Sequence, residues 1–192
     1  QNLRTSSPGL SLAVLYVYLT MQNKKVITDG LTGINNRREL DAYLERRLKQ
    51  RTEWGMLLID VDDFKKINDT IGHKIGDEAL WHVADILRTE FSGDGCFVAR
   101  YGGDEFVICG EWKNRAELEQ CIASIQKRVD SFNMEKERNY KLSLSVGAAL
   151  WSECADSEAS IVELADRSMY KQKQIHKERR NAGSEQYSIY SG

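Results

Sequence analysis

The 192-residue chain carries 27 Lys and Arg against 29 Asp and Glu, a net charge of −2, with 41% apolar and 29% charged residues. That composition supports one domain with a buried core and a short extension, and excludes a disordered chain. It also argues against a nucleic-acid binder, which needs a basic excess, while leaving room for a small phosphate ligand held by two or three local cations.

Cys96, Cys109, Cys121 and Cys154 form no CxxC pair, and His73, His82 and His176 lie near none of them in sequence. A zinc site and a disulfide framework are both disfavoured, which points to a reducing, cytoplasmic setting.

Gln1 rather than Met opens the chain, and a longer parent protein is expected. Leu10 to Met21 reads LSLAVLYVYLTM, apolar on all sides. The run is shorter than the roughly 20 residues of a spanning helix. Lys24 and Lys25 follow directly, as on the cytoplasmic side of a membrane helix. Residues 1–28 therefore read as an extension holding the truncated end of a transmembrane helix and a linker. A segment packed on the domain or on a second copy is the alternative.

From Asp29 onward helical and strand patterns alternate. Asn36, with Glu39 three residues later, reads as a helix cap, and Leu40, Tyr43, Leu44 and Leu48 continue at helical spacing. Trp54 to Asp62 is an apolar run ending in carboxylates, the pattern of a central strand buried on both faces. A loop with a short helix follows, then a helix from about Asp77 to Phe91. Cys96–Tyr101 and Glu105–Gly110 read as a hairpin around Gly102 and Gly103, which are expected to supply the positive φ of a primed turn. Asn114 to Phe132 is helical, Lys141 to Trp151 a strand, and Ser157 to Lys177 the last long helix. An edge strand is expected over Tyr187–Tyr190, within a tail at residues 182–192. The β-α-β-β-α-β order predicts an α+β fold, a ferredoxin-like antiparallel sheet with helices on one face.

Three acids, Asp60, Asp62 and Asp63, close the first strand. They repel one another unless a cation or solvent relieves them, and period-2 geometry puts Asp60 and Asp62 on one face. A magnesium site and a plain polar strand end, with Asp63 capping the next turn, both fit this pattern. Asp104 and Glu105 form a second acid pair at the hairpin, directly before the apolar run FVIC. If the hairpin lies beside the first strand, Glu105 and Asp60 share a metal, and two ions about 4 Å apart would clamp a phosphoryl transfer. Asn68 offers a donor and an acceptor, and Asp77 accepts two N–H groups, as a guanine edge presents them. Equally, Asn68 fits a turn, Asp77 a helix cap and His73 the surface. In the last helix Ile161, Leu164, Ala165, Ser168 and Met169 form an inward stripe that Lys173 continues, with Lys177 one turn further. Such lysines either reach a buried anion or simply complement the helix C-terminus.

Together these segments resemble the GGDEF-domain diguanylate cyclases. The likeness is carried by YGGDEF (Tyr101 to Phe106), DGLTGINNRREL (Asp29 to Leu40), IDVDDFKKINDTIGHKIGDEAL (Ile59 to Leu80), SVGAA (Ser145 to Ala149) and ADRSMYKQK (Ala165 to Lys173), and spans residues 29–181. It implies a palm-like domain that joins two GTP into cyclic di-GMP and releases two pyrophosphates. By this resemblance Asp60, the Val61 carbonyl, Asp104 and Glu105 would hold magnesium or manganese, two ions per site, with Asp104 also the acid–base group at the 3′-hydroxyl. Asn68 and Asp77 would read guanine with His73 beside the nucleotide. Gly102 and Gly103 would let it approach. Asp63, Phe64 and Lys65 would cradle phosphates, and Lys173 and Lys177 would complete the grip. Family members often carry Arg at the Lys177 position, and Lys keeps the charge without the bidentate fork. One domain would bind one GTP, so catalysis implies a homodimer, driven by an upstream sensor and tethered to the inner face of the membrane. Many members carry an inhibitory Arg-x-x-Asp pair before the signature; here Gly93 and Cys96 stand at those positions, so no allosteric product site is expected. The rival reading is a nucleotide-binding switch without catalysis, which the intact acids disfavour.

Overall fold

The computed structural model describes residues 12–18, 27–50, 52–93, 95–135, 138–155 and 160–188. Helix α1 (residues 12–18) bears exposed apolar side chains, among them Leu12, Leu15 and Tyr16. Over these residues the run is therefore not buried against the domain. Among the described residues no helix is long and apolar enough to cross a membrane.

Helix α2 (Arg37–Arg47) starts where the sequence places it, with the Asn36 side chain accepting from the Glu39 N–H. It leads into β1 (Gly55–Val61), α3 (Phe64–Ile71), α4 (His73–Glu90), β2 (Phe97–Arg100), β3 (Glu105–Gly110), α5 (Arg115–Met134), β4 (Leu144–Leu150), α6 (Trp151–Ala155) and α7 (Ile161–Ser188). The four strands form one antiparallel sheet in the order β2-β3-β1-β4. This is the ferredoxin-like arrangement predicted from the element order.

Helices cover both faces of the sheet, not one. Leu57, Ile59, Phe106, Ile108 and Val146 pack against α4 and α5, while Met56, Leu58, Val107 and Ala149 pack against Leu40 of α2 and Ile161, Ala165 and Met169 of α7. The apolar residues of β1 alternate between these two layers, so every residue of the strand is buried.

Two further expectations change. Tyr187 and Ser188 belong to α7 rather than to an edge strand; Ile189 and Tyr190 lie outside the described residues. Helix α4 begins at His73, four residues earlier than the periodicity implied. The close seat of α7 on β4 depends on Gly147, where any Cβ would collide with the Ala165 carbonyl and the Met169 backbone nitrogen.

Candidate active site

The acids gather where β1 and β3 pair. Asp60 and Glu105 are direct partners across the ladder, and Asp60 has Ser145 of β4 on its other side. Directly opposed residues in an antiparallel pair project to the same face, here the face that α7 covers. The Val61 N–H donates to the Asp104 carbonyl at 3.1 Å, which ties the signature turn to the end of β1. Asp60 is 7% exposed. Burial, reinforced by the charges of Asp104 and Glu105, pushes its carboxyl up to about 6, although Lys173 opposes the shift. Lys173 Nζ stands 2.7 Å from Asp60 Oδ2, so the stripe of α7 does lead this lysine to a buried anion.

A buried carboxylate crowded by two others and held by one partly exposed ammonium fits a divalent cation. Among the described residues no three His, Cys, Asp or Glu side chains are grouped so that they could hold a metal ion by themselves. An ion here would rest on an open set of carboxylates, a backbone carbonyl and substrate oxygens, the usual manner of magnesium.

Gly102 and Gly103 close the hairpin, with the N–H groups of Tyr101 and Gly102 donating to the Glu105 carbonyl at 2.8 and 3.3 Å. Neither glycine has positive φ, contrary to the primed-turn expectation. Gly102 lets the Glu105 carboxylate come close: a Cβ there would stand 2.6 Å from Glu105 Oε2, so the carboxylate would have to swing aside. The Glu105 carboxylate therefore lies over the turn that precedes it.

Asp62 does not join the acid cluster in chemistry. Its carboxylate accepts from Ser143 Oγ and Ser145 Oγ, both at 2.6 Å, and lies 2.9 Å from His176 Nδ1. Burial alone would raise its carboxyl, and these partners outweigh burial and hold it below the usual range.

Asp63 occupies the N-cap position of α3 in the left-handed region, φ 55°, without a side-chain cap bond. Its expected capping role is thus absent, and the first N–H groups of α3, at Phe64 and Lys65, open this helix beside the strand end. Helix N-termini of this kind favour anions. Asn68 lies inside α3 rather than in a turn. Its side chain packs directly on Gly76, where a Cβ would collide with it. Asp77 follows Gly76 inside α4 and is exposed, so it is not a helix cap. The structure thus brings Asn68 to the helix turn that carries Asp77. His73 opens α4 as an exposed residue, and Lys177 is exposed one turn beyond Lys173. Gly93 and Cys96 lie in the segment between α4 and β2.

One positioning element escapes the motif spacing. Arg100 at the end of β2 donates through Nε and Nη2 to the Gly103 carbonyl at 3.2 and 2.6 Å, and through Nη1 to Asp29 at 3.1 Å. Asp29 also accepts from the Thr32 N–H and hydroxyl. Its carboxyl is held below the usual range because these bonds and the Arg100 charge outweigh burial. The opening DGLT segment is thereby clamped to the glycine turn. An arginine next to Tyr101 was the available signal, but its partner lies 71 residues away.

The diguanylate cyclase GGDEF-domain family model matches residues 26–179. Diguanylate cyclase DosC of Escherichia coli (strain K12) is 35% identical over 148 residues, covering 74% of this chain and 32% of DosC. Diguanylate cyclase DgcP of Pseudomonas aeruginosa is 31% identical over 185 residues, covering 92% of this chain and 27% of DgcP. The coiled coil and GGDEF domain of DgcB from Caulobacter crescentus, solved in complex with c-di-GMP, superimposes with a TM-score of 0.77 at 26% identity, over 86% of this chain and 90% of that one. This chain spans about a third or less of the length of these curated relatives. With the family model matched over most of its length, the chain belongs to the GGDEF-domain family of diguanylate cyclases.

Proposed function

We propose that this domain condenses two GTP into cyclic di-GMP with release of two pyrophosphates, acting as a homodimer of facing domains. The observation that carries the reading is the opposition of Asp60 and Glu105 across β1 and β3, with Asp104 tied to Val61 beside them.

Asp60, the Val61 carbonyl, Asp104 and Glu105 would hold magnesium or manganese, two ions in this reading. When bound, the metal supplies positive charge to the triphosphate and to the attacking 3′-oxygen. The chain's own groups do the rest. Asp104 takes the proton of the 3′-hydroxyl as that oxygen attacks the α-phosphorus of the other GTP. Lys173 leaves Asp60 for the phosphates, joined by Lys177, by the N–H groups of Asp63 and Phe64 and by Lys65. Asn68 and Asp77 read the donor-rich edge of guanine, with His73 alongside. Each domain presents one nucleotide, so the second copy is obligatory for ring closure.

The parent protein, in this reading, is a sensor held at the membrane with this domain on the cytoplasmic side. Support comes from the apolar run at Leu10 to Met21 and the two lysines after it. Residues 29–181 would be the catalytic unit. Incubating the protein with GTP and magnesium and identifying products by mass tests the activity. Cyclic di-GMP and pyrophosphate are expected; unchanged GTP from a demonstrably dimeric sample would refute it.

A further inference from the structure

Beyond Met169 helix α7 loses its hydrophobic anchor. Met169 is its last buried apolar side chain among the described residues, and Ile175 is exposed. Yet this is the stretch that carries Lys173 and Lys177. What fastens it to the sheet is polar. Gln172 Oε1 accepts from the Val146 N–H, Lys173 meets Asp60, and His176 meets Asp62.

The His176 contact differs from the others in what it joins. Asp62 is 8% exposed and saturated by Ser143, Ser145 and His176. In the chain it stands between Val61 and the Asp63–Phe64–Lys65 entry to α3. His176 immediately precedes Lys177. One side-chain pair therefore couples the strand end that opens into the phosphate cradle to the helical turn that supplies the phosphate-gripping lysines. Ser145 Oγ, 3.3 Å from His176 Nδ1, fixes the ring from β4 as well. Hydrogen bonds to a buried charged group are among the stronger ones, and removing one partner loosens whatever both sides carry.

We propose that His176 is a positioning residue for the triphosphate: through Asp62 it sets the rotation and height of the last turns of α7 over the junction of β1 and α3. The proposal rests on the guanine-nucleotide reading given above. Without His176, the described polar ties left to the helix end that bears Lys173 and Lys177 are Gln172 and an ion pair that the substrate itself must break. The guanine-reading side chains on α3 and α4 do not depend on this contact.

The test compares His176→Ala and His176→Gln with the unmodified protein in calorimetric binding of GMP and of a non-hydrolysable GTP analogue with magnesium. Turnover of GTP is followed in parallel. His176→Ala is expected to weaken the triphosphate analogue on the order of tenfold and GMP by less than about twofold, with KM raised more than kcat is lowered. His176→Gln, which keeps a donor for Asp62, is expected to restore most of the loss. Should His176→Ala unfold the chain by leaving Asp62 unpaired, Asp62→Asn combined with His176→Ala removes the buried charge and must show the same selective loss. Equal weakening of both nucleotides, no weakening of either, or a Gln variant no better than Ala overturns the proposal. Failure of the unmodified protein to bind either nucleotide overturns the underlying reading, and the proposal with it.

Discussion

Lys173 donates to Asp60 across 2.7 Å, from the side of the sheet covered by α7. The two ends of this pair are unequally buried, the lysine side chain 36% exposed and the aspartate side chain 10%. The ammonium therefore keeps much of its hydration while the carboxylate has lost its own, and the pair leaves Asp60 undercompensated.

A stability penalty follows in the metal-free protein. The Asp60 carboxyl is raised from 3.8 to about 6. Below pH 4 both folded and unfolded chains hold its proton and nothing is lost. Between about 4 and 6 the folded state binds the proton more tightly, so stability falls as pH rises; above 6 the loss is complete, at roughly 2–3 kcal/mol. Asp60→Asn should then stabilise the metal-free protein by that order at pH 7.5 and by little at pH 4, while removing activity. Urea unfolding at both pH values decides this, and a gain independent of pH would mean that burial of the charge is not its source.

Glu105→Gln keeps the shape of a side chain folded over Gly102 and removes only its charge. Melting temperature should stay within a few degrees, and turnover should fall by at least about 100-fold, the scale set by losing one charge at a metal-assisted transfer. A variant that retains near-normal turnover would take Glu105 out of the metal set.

Base selection is expected to rest on two adjacent helices. Asn68→Ala leaves space against Gly76, and Asp77→Ala removes an exposed acceptor, so neither threatens the core. Each lost partner should cost guanine binding about 1–3 kcal/mol. Competition of GTP against ATP measures it; an undiminished preference in the double variant would place guanine recognition elsewhere.

Arg100 is expected to matter through the turn it holds. Arg100→Ala removes two bonds to the Gly103 carbonyl and the pair with Asp29, at about 1–2 kcal/mol of stability. Turnover at a temperature where the variant is fully folded should fall by about tenfold or more, because Asp104 and Glu105 follow that turn directly. Arg100→Lys should recover the charge but not the fork, and hence only part of the rate. Full recovery with Lys would show that charge alone is required.

Product control should be weak. With Gly93 and Cys96 where an arginine and an aspartate would bind cyclic di-GMP, inhibition is expected to be competitive at the GTP site. Initial rates across a grid of product and GTP concentrations distinguish this from noncompetitive inhibition, which would reveal a second site.

The sequence carried the strands and the acid motifs because period-2 burial and hydrophobic runs are local signals. Asp60, Asp104 and Glu105 could be nominated from their place at strand ends, and the ladder then set Asp60 opposite Glu105. Three features were not local. The second helical layer depends on Leu40 of α2 and Met169 of α7 covering the same face of the sheet, which no window reveals. The role of Asp62 in the acid run stayed open because its satisfying partners, Ser143, Ser145 and His176, lie 81 to 114 residues on. Gly102 was assigned a dihedral role, yet it lacks positive φ and instead lies against the Glu105 carboxylate, a neighbour that only the folded hairpin reveals.

The pairing of β1 with β3 has one more consequence. Shifting an antiparallel strand by a single residue turns every side chain to the opposite face. In this sheet such a slip would carry Asp60 away from Lys173 and into the apolar layer formed with α4 and α5, where a lone carboxylate is untenable. Asp60 thereby acts as a proofreading mark for folding: the native register is the one that gives it Lys173.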